Sequence, residues 1–172
     1  MPNYQQGDKQ ISDGVNLLIS ILVRYPEVGT ITYNSSNQSI KLTFLLTGSP
    51  EKKHMDFITD HITHSLDAYH ILKNMKDSLV EICINSYENM AMLTIIRDVG
   101  SLSRGEIALI IALLREKAID LLVTDQSEFL VEEDLLIQEE LIENMLENMK
   151  KKYDSHSLIG IREDGRVLVF NK

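Results

Sequence analysis

The stretch TITYNSSNQSIKLTFLL, residues 30–46, decides the fold of this chain. Two segments rich in β-branched and aromatic residues, 30–33 and 39–46, flank a polar turn, which is the pattern of an antiparallel β-hairpin. In the second segment large apolar residues occupy alternate positions, so one face of that strand is predicted to point into a core. The inward residues are Ile40, Leu42, Phe44 and Leu46.

Two later stretches show the same hairpin pattern. Residues 79–85 and 90–97 are apolar segments separated by a short polar turn. Near the C-terminus, LIGIREDGRVLVF (158–170) places two apolar strands around Asp164-Gly165, a dipeptide that favours two-residue hairpin turns. Because a hairpin joins antiparallel strands, the three hairpins predict an antiparallel sheet.

Between the hairpins, apolar residues recur at helical spacing, and this spacing predicts about four helices. Their expected ranges are 12–25, 50–75, 104–118 and 128–152. The third helix contains the run IALIIALL (107–114), which is apolar on nearly every side, so we expect this helix at the buried centre of the fold. An additional strand is predicted over 118–125.

Helix-capping residues mark where these helices begin and end. Pro26 is expected to end the first helix, and Ser49 is expected to cap the second, with Pro50 at its first position. Ser103 and Glu106 form the pattern of a capping box at the start of the third helix.

These elements predict an α+β fold in which an antiparallel sheet of three β-hairpins is covered by about four helices. A helix followed by a hairpin occurs three times, over 12–46, 50–97 and 128–170. The length of 172 residues fits one domain, and we interpret residues 1–172 as a single domain. Residues 1–10 are polar and are predicted to form a disordered tail.

Composition excludes several classes of function. A net charge of −9 argues against nucleic acid as a partner, since a phosphate backbone would be repelled. Cys83 is the single cysteine, so an internal disulfide is excluded, and its apolar neighbours predict a buried, unreactive thiol. The apolar run VNLLISILV (15–23) is too short to span a bilayer, and it lacks the flanks of a signal peptide. We expect a cytoplasmic protein that does not bind a membrane.

One face of the second helix carries the residues that most resemble a metal site. Asp60, His64 and Asp67 are spaced i, i+4, i+7, so their oxygen and nitrogen ligands point the same way. The alternative interpretation is a solvated polar face, because a face opposite the core is where acidic residues normally lie. We therefore expect no metal and no other cofactor, and we keep these three residues as the candidate ligands of a metal-dependent enzyme or metal sensor.

The loop GSLSRG (100–105) is a second candidate site, because it enters a helix N-terminus where backbone N–H groups and the helix dipole favour anions. Ser101, Ser103 and Arg104 would be the donors to a phosphate ligand. The loop lacks the Lys-Ser/Thr pair of a nucleotide-binding P-loop, and the capping box already accounts for Ser103.

The fourth helix carries the strongest signal for a protein partner. Glu139, Glu143 and Glu147 follow one another at i, i+4 and i+8, and like charges at this spacing weaken an isolated helix. Met145 and Met149 lie on the other side of the helix, where their adaptable side chains suit a surface that accepts a second protein. The alternative interpretation is a core helix with a soluble outer face.

We therefore expect a non-enzymatic cytoplasmic interaction domain of the adaptor or regulatory kind. Its predicted partner is a basic protein or a second copy of the chain. The two alternatives are the metal-dependent function at Asp60, His64 and Asp67 and the phosphate-ligand sensor at 100–105.

Overall fold

The computed structural model describes residues 12–75, 78–125 and 131–172. The predicted tail at 1–10 and the predicted helix start at 128–130 lie outside the described residues. The described helices are α1 (Ser12–Arg24), α2 (Lys52–Leu72), α3 (Arg104–Lys117) and α4 (Glu132–Lys151). The described strands are β1 (Thr30–Asn34), β2 (Ser39–Thr47), β3 (Val80–Tyr87), β4 (Met90–Asp98), β5 (Leu158–Glu163) and β6 (Arg166–Asn171).

The six strands form one antiparallel sheet in the order β3-β4-β2-β1-β5-β6. Strands that follow each other in the chain, β1 with β2, β3 with β4 and β5 with β6, lie side by side. Long-range pairs of β2 with β4 and of β1 with β5 join them into one sheet. The predicted α+β class, with four helices and an antiparallel sheet in the described part of the chain, is confirmed.

The four helices pack on the same face of this sheet, which we call the covered face. The predicted inward residues of β2 point to this face and are 0–1% exposed. Side chains from α1, α2, α3 and α4 join them in one apolar cluster. Gly160 of β5 has no side chain, and there Leu22 of α1 approaches so closely that a Cβ atom would lie 2.9 Å from its methyl group. The predicted central position of α3 is confirmed, since Ile107, Ile110, Ile111 and Leu114 are at most 1% exposed.

Several local predictions are corrected. The second helix is capped at Glu51 rather than Ser49, because Gly48 and Ser49 both adopt positive φ angles, and the Ser49 hydroxyl donates to the carbonyl of Glu88. The stretch 118–125 forms only an isolated bridge between Leu122 and Leu46 in place of the predicted strand. Cys83 is exposed, because β3 is an edge strand and this residue points away from the helices.

Arg162 lies beside the hairpin turn at Asp164-Gly165, where an ordinary surface charge would be expected. It instead holds the end of α1 in place. Its guanidinium donates to the carbonyl oxygens of Leu22 at 2.6 Å, Tyr25 at 2.9 Å and Val28 at 2.9 Å. The last carbonyls of a helix, here that of Leu22, have no partners within the helix, so the bond to Leu22 satisfies a group that would otherwise need water, and the bonds to Tyr25 and Val28 fix the turn that follows.

Candidate functional site

The structure does not gather the predicted metal ligands into a site. Asp60, His64 and Asp67 are all exposed on α2, on the side away from the sheet. Within residues 12–75, 78–125 and 131–172, no three His, Cys, Asp or Glu side chains are placed so that they could hold a metal ion. The solvated polar face is therefore the interpretation that this geometry favours.

The donors of the 100–105 loop bind partners inside the protein. The Ser101 hydroxyl donates to the Asp98 carboxylate at 2.7 Å, and Ser103 accepts from the backbone N–H of Glu106 at 3.2 Å. Arg104 forms ion pairs of 3.5 Å with Glu139 and 3.8 Å with Glu143. A phosphate at this loop would have to displace these contacts, so the geometry gives the phosphate-sensor alternative no support.

The predicted partner residues of α4 divide between core and surface. Met149 is fully buried, and Met145 is half-buried against the core, so the structure removes Met149 from the predicted partner surface. Glu139 forms a 2.8 Å ion pair with Arg24 of α1, in addition to its contact with Arg104, so its charge binds α1 and α3 to α4.

The two remaining glutamates of that row are exposed. Glu143 and Glu147 have 62% and 60% of their side chains exposed, and Glu147 pairs with Lys150 at 3.2 Å. An exposed pair of this kind contributes little stability. In the row of three glutamates, Glu139 thus forms ion pairs between helices, whereas Glu143 and Glu147 are mainly exposed to solvent.

Sequence reasoning missed a buried charge cluster, which we call the Arg97 cluster. Arg97 and Glu106 are 1% and 0% exposed, and His70 is 8% exposed. The Glu106 carboxylate accepts hydrogen bonds from Nε of Arg97 and, at 2.8 Å, from Nη2 of Arg97. Nε2 of His70 lies 2.6 Å from the same carboxylate. Glu106 therefore uses its side chain inside the core, and only the Ser103 half of the predicted capping box forms.

The rim of the Arg97 cluster is Asp98, which is partly exposed. Nη1 of Arg97 donates to Asp98 at 2.5 Å and to the carbonyl of Leu79 at 2.8 Å. Burial raises the pKa of Asp98, but the hydrogen bond from Ser101 and the charge of Arg97 outweigh it and hold that pKa below its usual value. Burial likewise disfavours the charge of Arg97, yet the hydrogen bond and charge of Glu106 raise the pKa of Arg97 above its usual range.

A signal for this cluster does exist in the sequence. Each member continues an apolar stripe: His70 follows Leu66 by four residues, Glu106 precedes Ile110 by four, and Arg97 follows Ile95 by two. Polar residues at such positions must point into the core. A buried polar group requires a hydrogen-bond partner. Three inward-pointing polar residues on three different elements are therefore expected to bond one another. The arrangement joins α2, β4 and α3 and satisfies its charges internally, which is a structural role.

The most distinctive surface of the molecule is the other face of the sheet, which we call the uncovered face. No helix or strand in the described part of the chain packs against it. Its apolar side chains are half-buried and lie outside the apolar core cluster. They are Leu45, Met92, Ile96, Ile159, Ile161 and Leu168, with the half-exposed Phe170 at the edge.

The centre of the uncovered face is built from threonines and one lysine. Thr43 of β2 pairs with Thr94 of β4 on one side and with Thr30 of β1 on the other, so three hydroxyls lie in a row across the sheet. Lys41 lies beside Thr32 in the next row. Thr30, Thr32, Lys41 and Thr43 line a groove of about 760 Å³, together with loop residues that include Pro26 and Val123.

Comparisons with known proteins leave the assignment to the geometry. No family model matches the chain, and no curated protein or solved structure matches it. Among the described helices, none combines the length and the apolar character that crossing a membrane requires.

Proposed function

We propose that this protein is a non-enzymatic interaction module that binds another protein through the uncovered face of its sheet. The observation that carries the proposal is the placement of α1, α2, α3 and α4 on one face. A sheet whose second face bears half-buried isoleucine, leucine and methionine side chains gains free energy when another surface removes them from water.

The proposal keeps the class of function predicted from the sequence, a protein-interaction domain, but assigns the partner to the uncovered face of the sheet and not to α4. Sequence reasoning assigned the partner to α4, where Met149 is buried and Glu139 is engaged internally. Apolar side chains are accessible on α4 as well, where Leu136 and Ile137 are 56% and 53% exposed, but on the uncovered face they extend across several neighbouring strands around Lys41. A cytoplasmic location and the absence of nucleic acid and membrane partners remain predictions.

The proposal also gives a reason for the helix-then-hairpin order inferred from the sequence. Each unit of that order supplies two strands and a helix, although a helix does not always pack on its own hairpin, since α1 contacts β5 and β6 as well as β1, and α4 contacts α1 and α3. Three such units side by side produce one layer of helices and one sheet face without cover. We keep this repeat as an interpretation of the element order.

The test is affinity capture from native lysate with three versions of the chain. Wild type is compared with Ile161→Lys, which places a charge on the uncovered face, and with Leu72→Lys, which places the same charge on the 84% exposed end of α2. We expect Ile161→Lys to lose the captured partners and Leu72→Lys to keep them. Equal capture by all three folded proteins would contradict the proposal.

A further inference from the structure

We propose that the partner of the uncovered face is a second copy of this chain, stacked sheet to sheet in a symmetric dimer. This inference rests on the proposed function and names its partner. The resulting particle would have four layers, with two sheets about 10 Å apart at the centre and one helix layer outside each sheet.

The size of the face suits a stable dimer. Six strands spaced about 4.8 Å apart, with about 3.3 Å per residue, give a footprint on the order of 600 Å². Accessible surface exceeds a flat footprint because side chains project from it. The face thus approaches the roughly 800 Å² that each partner contributes to a typical specific interface.

The distribution of charge also favours contact between two uncovered faces over contact between two copies through any other surface. The chain carries a net charge of −9, so two copies repel each other wherever their acidic surfaces meet. The exposed acids of α4, including Glu143 and Glu147, lie in the helix layer on the far side of the sheet. Contact through the uncovered face keeps these acids outermost, while the groove on that face is lined by charges of both signs, which are Lys41, Arg162, Lys172, Asp125 and Asp164.

The polar groups of this face are suited to pairing with themselves. In a symmetric dimer the same patch occurs on both sides, so its groups must be complementary to their own kind. A threonine hydroxyl both donates and accepts a hydrogen bond, which lets the half-buried Thr30 and Thr94 on either side of the buried Thr43 face identical residues of a second copy. Isoleucine and leucine side chains likewise pack against their own kind.

Lys41 is the exception, because two lysines related by symmetry repel each other. Its long apolar stem can pack against apolar neighbours while the ammonium group stays hydrated in the groove, so the dimer tolerates this residue at some cost. The proposed dimer therefore predicts that one substitution strengthens the association of two copies. Lys41→Met removes the repulsion and adds apolar contact, whereas the same change at the exposed Lys53 of α2 does neither.

The experiment is sedimentation equilibrium on the purified full chain over a wide range of protein concentration. Wild type should form dimers, Ile161→Lys should weaken association on the order of tenfold or more, and Leu72→Lys should not change it. Lys41→Met should tighten association several-fold, and Lys53→Met should leave it unchanged. Far-UV circular dichroism and thermal melts check that each variant is folded.

Each outcome supports or overturns the inference. A gain from Lys41→Met in a protein whose circular dichroism and thermal melt match wild type supports the sheet-to-sheet contact even where Ile161→Lys destabilises the fold. A wild-type dimer that neither variant alters would place the contact elsewhere and overturn the inference. A monomeric wild type that still captures another protein through Ile161 overturns the second copy and leaves the proposed function standing. A monomer without such capture overturns both.

Discussion

The two faces of the sheet are made from alternate residues of the same strands, yet they have opposite characters. On β2, Leu42 and Phe44 point to the covered face and are at most 1% exposed, whereas Lys41 and Leu45 point to the uncovered face and are half-buried. The first set belongs to the apolar cluster to which all four helices contribute, whereas no described helix or strand packs against the second set. The comparison teaches that the alternation of side chains along a strand creates two different faces. The helices pack on the face whose large apolar side chains are continuous.

The covered face is apolar, but it also contains a buried cluster of charged side chains. Beside the apolar residues of β4 lies Arg97, which is buried together with Glu106 and His70. A buried charge is tolerated only when it is paired and hydrogen-bonded, and here the carboxylate and guanidinium satisfy each other. The uncovered face keeps its one central charge, Lys41, in contact with solvent.

The largest effect is expected from breaking the Arg97 cluster. Glu106→Ala should lower the free energy of unfolding by about 3–5 kcal/mol, because it removes the buried carboxylate that binds Nε and Nη2 of Arg97 and leaves these groups of a buried charge unpaired. Urea denaturation measures this change. The double variant Arg97→Met, Glu106→Leu removes both charges and should recover most of the loss. A loss under about 1 kcal/mol for Glu106→Ala would mean that water reaches Arg97, contrary to the burial described above.

Two neighbouring residues of β2 test the comparison of faces directly. Leu46→Ala should cost about 2–5 kcal/mol, because Leu46 is fully buried against the helices. Leu45→Ala should cost about 1 kcal/mol or less, because Leu45 is half-buried on the uncovered face. Denaturation at low protein concentration keeps association from adding to either value. Equal losses at the two positions would show that the uncovered face is covered after all.

A smaller effect with a defined pH dependence is expected at Asp98. Its pKa is lowered in the folded protein from an ordinary value of 3.8, so its ionised form stabilises the fold above that value. This stability is lost as the pH falls through the lowered pKa. Wild type should therefore be more stable than Asp98→Asn at neutral pH, and the difference should shrink at acid pH. A difference that stays constant from neutral to acid pH would contradict this assignment.

The smallest effect is expected on the polar face of α2. His64→Ala should change the free energy of unfolding by no more than about 0.5 kcal/mol, because the side chain is exposed. Thermal scans with excess Zn²⁺, Mn²⁺ or Mg²⁺ should give the same melting temperature for wild type and this variant. A metal-dependent rise of several degrees that His64→Ala abolishes would restore the metal-site alternative.

Sequence reasoning succeeded where the cause was local. Alternation in β2 predicted its buried residues, Asp164-Gly165 predicted its turn, where both residues have positive φ angles, and the run 107–114 predicted the buried α3. It failed where a residue's partner lies far along the chain. Glu106 has the spacing of a capping box, but its carboxylate bonds Arg97 and His70, which come from other elements.

Apart from the strand predicted at 118–125, the sequence by itself determined which segments are helices and strands and which side of each is apolar, because these properties follow from spacing within a few residues. Only the tertiary structure decided that all four helices share one face of the sheet, since that depends on the strand order β3-β4-β2-β1-β5-β6 and on long-range pairings. The same long-range arrangement buried Met149, exposed Cys83 and joined Arg97 to Glu106 and His70. Periodicity specifies that a side chain points inward, whereas the partner it meets there is set by which distant elements come together.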